Sequence, residues 1–511
     1  MKISSYLKSI ICLAFLILLH GNVSSQSADE IMLSKIRKEG LQNSQAMEML
    51  SKLSDIYGQR LTGSREYYAA ACWMAEEMKR SGLQNVHFEK YCPNCRGWSM
   101  KSFNVEMTAP NFMHINAYPL AMAKGTNGLV SGEVVHIESM KDVAKLKETY
   151  GGNLKDKIIL LGKIDLPKSF DKPLASRYTI EQLNKMENQL VAGSKPTPLP
   201  ELLKSWETSD ISDQEFLTFA ETEGALAVLV DYGQYPGILG VGGSYFYKKD
   251  QFMPLPYMTI MPEHFGRLVR MIKLGTTPTI NLNLETEFYY EPENNVNVIG
   301  ELTGTDPKLK SETILVGGHF DSWHAGTGAA DNGSNCIVLV EALRILKQVG
   351  YRPKRTLRVG LWGGEEQAFI GSVDYAIEHY GALDAKPNAE SKKVSAYLNL
   401  DNGAGAIRGM YLQENELARP VFKKIFEPLD GLSEGALTID NTYSTDHETF
   451  DHFNIPAFQF IQDGLTYGSV THHTQLDVVE YVPEDDLKKN AVILAWTLYS
   501  LSEMNGMVPR K

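Results

Sequence analysis

Cysteine is scarce, with five in 511 residues. A fold stapled by disulfides needs a denser supply, so the core must be held by packing. Cys12 falls in the leader discussed below, which leaves Cys72, Cys92, Cys95 and Cys336. Cys92-Pro93-Asn94-Cys95 has CxxC spacing, but no second CxxC and no nearby histidine pair accompanies it. That argues against a structural zinc site. In an exported chain a local disulfide ranks ahead of free thiols, and redox chemistry ranks last. Positive charge is also in deficit: the formal net charge is −12. Such a chain is a poor candidate for phosphate-backbone binding, and no nucleic-acid partner is expected. Long apolar runs are missing as well. The run at 10–19 falls short of the about 20 residues a membrane helix needs, and no other run approaches that length. No stable membrane insertion is expected. There is no internal repeat at solenoid periods.

What is present describes a globular chain. Hydrophobic residues make up 43% and charged residues 22%, which excludes a largely disordered chain. The length exceeds one ordinary core, so two or more folding units are expected. Lys2 and Lys8, the apolar run after them, and the small residues Val23, Ser24 and Ser25 form the pattern of a secretory signal over 1–25. The alternative is an uncleaved anchor. An exported chain, periplasmic or extracellular, is the expectation.

Residues 44–81 read as helical, with Met47, Leu50, Leu53, Ile56 and Tyr57 at helix spacing before Gly58 and Gly63 interrupt. A second helix follows through Tyr68, Ala71, Met74 and Met78 and stops at Gly82. First strands are expected near 86–88 and 103–107. From about 130 to 284 short apolar runs (GEVVHI, KIILLGKI, ALAVLVDYG, MPLPYMTIM, INLNLET) alternate with loops, and a polar stretch interrupts them near 181–205. This reads as an inserted β-rich domain, 126–289, within a catalytic unit made of 26–125 and 290–511. From Asn295 strands alternate with helices, which predicts an α/β unit with a mixed, largely parallel central sheet flanked by helices. A long helix is predicted over 483–504. None of the strand-end histidines and carboxylates described below lies in 130–285, so excision of that stretch is expected to leave a unit that keeps their chemistry.

The chemistry collects at strand ends, where open α/β sheets build their sites. His319 and Asp321 follow TILVGG, Glu365 and Glu366 follow TLRVGLWGG, and Asp401 follows SAYLNL. His472 and His473 follow IPAFQFIQDG, and Asp331 precedes a helix. Imidazole and carboxylate are ligands that zinc accepts at about 2.0–2.2 Å. Two histidines and three carboxylates exceed the need of one tetrahedral site. With one carboxylate bridging, they would supply two ions about 3.5–4 Å apart. Asp321, two residues from His319 on the same strand face, is placed to orient an imidazole. A turn after Gly363-Gly364 would aim both glutamates inward, one to the metal and one to a proton.

GGHFDSW, GTGAADNGSN, GGEEQAFIGS, NLDNGAG and HHTQLD resemble, in order, motifs of the zinc exopeptidase family of carboxypeptidase Q and bacterial leucyl aminopeptidases. The resemblance covers roughly 30–125 and 290–511, and the middle resembles the protease-associated domain such enzymes often carry. It implies two zinc ions per chain and a peptide substrate. His319 and Asp401 would hold one ion, Glu366 and His473 the other, and Asp331 both. Asp321 would orient His319, and Glu365 would be the general base. His473 matches the family's last histidine, in an H-T-x-x-D pattern, rather than His472. The resemblance also implies a cis peptide at Asp331–Asn332. Asn332 stands where the family often has a second carboxylate and is not expected to be a direct ligand. STDHETF resembles a segment near the substrate pocket, which makes Tyr443, Asp446 and His447 substrate-binding candidates. A homodimer is allowed for. Two other readings compete: a single-zinc enzyme like the glutaminyl cyclases, and a binding relative that has lost catalysis. Intact residues at all five ligand positions and at the base argue against both.

Overall fold

The computed structural model describes residues 27–511 apart from 142, 165–171, 194, 234, 244–247, 250 and 252. The expected leader lies outside the described residues. Among the described residues no helix is long and apolar enough to cross a membrane.

Strand β1 (Gln84–Lys90) opens the chain's first sheet. The next eight strands all belong to a second sheet. They are β2 (Gly97–Ala109), β3 (Met113–His114), β4 (Ala117–Pro119), β5 (Val130–Ile137), β6 (Lys157–Leu161), β7 (Ala227–Val230), β8 (Tyr257–Ile260) and β9 (Thr279–Tyr289). The chain then returns to the first sheet with β10 (Val296–Leu302), β11 (Thr313–His319), β12 (Thr356–Trp362), β13 (Val394–Asn399), β14 (Ile407–Tyr411), β15 (Ala436–Thr438) and β16 (Ala457–Gln462). The order of the first sheet is β1-β10-β12-β11-β13-β16-β14-β15. Its centre, β12-β11-β13-β16, is parallel, and antiparallel strands flank it. The fold is mixed α/β.

Strand alternation explains the two packed faces. Ile314 and Val316 of β11, Leu357, Val359 and Leu361 of β12, and Ala396 and Leu398 of β13 point to one side. There they meet the helices Ala28–Gln42, Arg65–Arg80, Ser334–Gln348 and Glu484–Glu503. Leu315, Trp362 and Tyr397 point to the other side, against the helices Ile370–Tyr380 and His447–His452. A sheet covered on both faces is the setting in which parallel strands persist.

Three expectations change. The second sheet begins at Gly97, ahead of residue 126, because β2 pairs with β9 from Gly97–Tyr289 to Ala109–Thr279. The stretch near 103–107 therefore lies in the second sheet and not with the catalytic residues. The excursion from 97 to 289 leaves from β1 and returns at β10, and these two strands are antiparallel neighbours. The middle is also less purely β than its sequence suggests. Its strands β5, β6, β7 and β8 are parallel, and parallel neighbours need crossovers, so helices such as Val143–Tyr150 and Leu199–Thr222 connect them. Finally, Ile56 does not share the buried face of Met49, Leu50 and Leu53. Residues Lys52–Tyr57 wind as a π-helix, whose wider turn rotates Ile56 outward to 72% exposure.

Cys92 and Cys95 form a disulfide in the connection from β1 to β2. Cys72 and Cys336 are free thiols.

Because β2 has its long partner only in β9, removing 130–285 leaves an unpaired strand and takes away most of the second core. The excised chain is expected to aggregate or to lack a cooperative melt, in contrast to the separable unit that its ligand positions suggest. Circular dichroism melts and zinc content of the purified product check this. A folded, zinc-binding product would show the sheets to be independent.

Candidate metal centre

The end of β11 delivers His319, and the imidazole is buried (1% exposed). Its Nε2 lies 3.1 Å from Asp331 Oδ1 and 3.2 Å from Asp401 Oδ1. Asp331 enters from the Ala329–Gly333 turn ahead of the helix Ser334–Gln348, and Asp401 from the end of β13. The other oxygen of Asp331, Oδ2, lies 3.4 Å from His473 Nε2, and His473 Nε2 is 3.0 Å from Glu366 Oε2. One carboxylate thus faces a different imidazole with each of its oxygens. The peptide Asp331–Asn332 is cis. Asn332 turns away: its Nδ2 donates to the carbonyl of Leu400 at 2.9 Å.

Glu365 and Glu366 are both buried. Gly364, at φ +70°, makes the turn after β12 that aims them in, a conformation glycine adopts without a Cβ penalty. Asp321 secures that turn. Its Oδ1 accepts from the Glu365 N–H at 3.2 Å and its Oδ2 from the Glu366 N–H at 3.3 Å. Its relation to His319 is looser than expected. The imidazole Nδ1 is 3.1 Å from the Asp321 backbone oxygen and 3.6 Å from the carboxylate. Asp321 therefore organises the glutamates at least as directly as it does the histidine.

The charges are mutually dependent. Burial opposes protonation of His319, yet the carboxylates of Asp401 and Glu365 outweigh it and raise its pKa. Burial, joined by Asp401, Glu366 and Asp446 and opposed by His319, holds Glu365 well above the usual carboxylate range. Asp331 is held below that range, because the neighbouring histidines outweigh its burial.

The three substrate-binding candidates part company. Asp446 is fully buried beside the centre, and burial with the charges of Asp401 and Asp321 pushes it up to about 7. His447 instead lines a separate cavity of about 290 Å³ with Lys195, Gln413 and Lys511, and its Nε2 is 3.3 Å from Thr442 Oγ1. The helix that begins at His447 sets neighbouring residues at about 100° to one another, so Asp446 and His447 face different surroundings. Tyr443 is 40% exposed.

Four further residues complete the centre. Asp477, the aspartate of the H-T-x-x-D pattern, accepts from the N–H groups of Ala330 (2.6 Å) and Asp331 (3.2 Å). Tyr467 donates its hydroxyl to Asp331 Oδ1 at 3.2 Å. His472 stacks on His473 with ring centroids 3.8 Å apart, and its Nε2 is 4.0 Å from Asp331 Oδ2. Arg60, fully buried, donates to the carbonyls of Phe320, Thr327 and Gly328, pinning the loops that carry Asp321 and Asp331. The spacing in HHTQLD marks Asp477 and His472. Nothing in the local sequence marks Arg60.

The donor set fits a divalent cation. Imidazoles and carboxylates gather within 4.8 Å of one another in three overlapping groups: His319, Asp331 and Asp401; Asp331, His472 and His473; and His319, Glu365 and Glu366. Buried Asp331 Oδ2, Glu366 Oε1 and Asp401 Oδ1 complete no hydrogen bond among the described residues, even with imidazoles beside two of them, a costly arrangement unless a cation is shared between them.

A sheet that gathers such a cluster beyond the carboxyl ends of its parallel strands builds a centre able to hold a metal ion. Residues 297–497 match the model of peptidase family M28. Mouse carboxypeptidase Q is 25% identical over 92% of this chain and 88% of its own length. The crystal structure of a peptidase M28 precursor from Shewanella amazonensis superposes with a TM-score of 0.66 at 21% identity, covering 94% of this chain and 99% of that one. BSAP, a zinc aminopeptidase from Bacillus subtilis, gives 0.57 at 18% identity, covering 90% and 95%. The class is that of the zinc metallo-exopeptidases. The match spans 297–497, the stretch that holds every candidate ligand, and there the chain resembles peptidase family M28.

Proposed function

We propose that this chain is a secreted, co-catalytic zinc exopeptidase of short peptides or dipeptides. The observation that carries the reading is the divided carboxylate of Asp331, one oxygen toward His319 and the other toward His473. His319 and Asp401 would hold one zinc ion, Glu366 and His473 the second, and Asp331 both. When bound, such a pair supplies Lewis acidity, which acidifies water and polarises a carbonyl oxygen.

The chain's own residues do the rest. Glu365, raised by burial, is suited to take a proton from the attacking water and return it to the leaving amine. Asp321 keeps its backbone in place. The Tyr467 hydroxyl, beside Asp331, is a donor within reach of developing negative charge. Asp446, pushed up to about 7 by burial and by the charges of Asp401 and Asp321, adds to the charge that bound cations would offset. Export fits the Cys92–Cys95 disulfide, which persists in oxidising compartments. The excursion from β1 to β10 is read as the protease-associated-like unit. Similarity to carboxypeptidase Q and to aminopeptidases leaves the attacked end to be measured. A panel of free, N-blocked and C-blocked dipeptides with zinc present is expected to show hydrolysis of free dipeptides and loss of it with one block only. Hydrolysis of doubly blocked peptides would sink the exopeptidase reading.

Glu365→Gln removes a base and no proposed ligand. It is expected to lower kcat at least about 10²-fold with zinc content near wild type, as loss of general-base catalysis does. Full activity would assign the base elsewhere.

Asp331→Ala differs from any other ligand change because it takes the shared carboxylate from between two cations, whose repulsion is poorly screened when buried. It is expected to bind at most about one zinc, weakly, with background activity, whereas Asp401→Ala and Glu366→Ala each weaken one ion. Zinc per chain after equilibrium dialysis makes the comparison. Two tight ions in Asp331→Ala would remove the bridge.

A further inference from the structure

His473 sits in the left-handed region, at φ +56°. A residue with a Cβ stays there only when its surroundings hold it. On one side the holder is the first sheet itself, through Asp477 and its bonds to the Ala330 and Asp331 amides. On the other side the holder comes from the excursion between β1 and β10.

The glycine-rich segment 237–243 lies along the His473 loop and meets it through backbone hydrogen bonds and a single antiparallel bridge. The Val241 N–H donates to the His473 carbonyl at 2.7 Å, and Gly240 forms an antiparallel bridge with Thr474. Gln475 closes the pairing with its side chain. Its Oε1 accepts from the Leu239 N–H at 2.8 Å, and its Nε2 donates to the Gly237 carbonyl at 3.3 Å. The Trp323 indole is seated between the two units. Its edge meets the His473 ring at 5.8 Å between centroids, and it belongs to the apolar core of the second sheet. A Cβ on Gly243 would stand 2.2 Å from that indole, so only glycine lets the segment approach this closely.

We propose that segment 237–243 of the second unit, through Val241, Gln475 and the Gly243–Trp323 contact, holds His473 in its ligand conformation. The residues are positioning residues that touch no reacting atom. This rests on the reading of His473 as a zinc ligand. It makes the second unit a structural part of the metal centre. A ligand on a loop keeps its affinity only if its conformation is set before the metal arrives. Here two hydrogen-bonding edges and one ring contact supply that setting from outside the sheet that carries the loop.

The test uses the full chain, first stripped of metal and then titrated with zinc. Gln475→Ala, Gly243→Leu and His473→Ala are compared with wild type by calorimetric zinc binding, by hydrogen exchange of amides 470–477 in the metal-free state, and by thermal melts. Gln475→Ala is expected to speed exchange in that loop and to weaken, by about tenfold, the same zinc equivalent that His473→Ala abolishes, leaving the other unchanged; such a loss matches that of one or two hydrogen bonds. Gly243→Leu is expected to weaken the same equivalent. If His473→Ala loses one equivalent while both other variants bind zinc and exchange as wild type does, the positioning role is overturned and the metal centre stands. If His473→Ala keeps both equivalents, the ligand reading falls and the proposal with it. Equal weakening of both equivalents with a lowered melt would mark a general structural role and overturn the proposal as well.

Discussion

Like charges buried together are the constraint around which this molecule is organised. Asp321, Asp331, Glu365, Glu366, Asp401, Asp446 and Asp477 are all at least nine-tenths removed from solvent and crowd one pole of one sheet. Burying a single unpaired carboxylate is costly, and burying several at close range costs more because each opposes ionisation of the next. Burial first, and then the neighbouring carboxylates, raise the pKa values of Glu365, Asp446 and Asp477. Everything near them answers it: two imidazoles, the Arg60 guanidinium, and the backbone amides of Ala330, Asp331, Glu365 and Glu366 turned toward carboxylate oxygens. A divalent cation shared among them would complete the compensation that these groups begin.

That constraint accounts for the division of labour among the aspartates. Asp331 has histidines on both sides, and they hold its pKa below the usual carboxylate range. Asp477 and Asp321 spend their oxygens on backbone amides, and so fix the two turns that present Asp331 and the Glu365–Glu366 pair. Arg60 brings positive charge from a separate part of the chain and binds carbonyls of the same loops. The centre is therefore a set of turns held by charge, on top of a sheet held by packing.

The second unit is joined to this arrangement rather than appended to it. Its sheet departs from β1 and returns at β10, its glycine-rich segment pairs with the His473 loop, and Trp323 from the first unit is buried in its core. A side chain on either unit therefore has consequences for the other.

Much of the site could be read from the chain. The alternation of apolar strands with helices from Asn295 onward, and the placing of His319, Glu365, Glu366 and Asp401 just after apolar runs, follow from local rules: strands bury alternate residues, and α/β sheets put polar groups beyond their carboxyl ends. The boundary at Gly97 could not be read, because strand β2 looks the same whichever sheet it joins, and its partner β9 lies far along the chain. Helix spacing puts Ile56 on the buried face for a related reason: a π turn breaks the period on which that spacing depends. Arg60 and segment 237–243 carried no signal, since a lone arginine and a run of glycines and apolar residues acquire a role only from what they touch. Asp446 and His447 are neighbours in sequence, yet one is beside the centre and the other lines a different cavity. By itself the sequence determined which residue types stand at the strand ends and hence the chemistry on offer. Only the tertiary structure decided which oxygen faces which imidazole and which distant backbone holds His473, because hydrogen bonds and charge pairing act through space, at distances that chain separation does not encode.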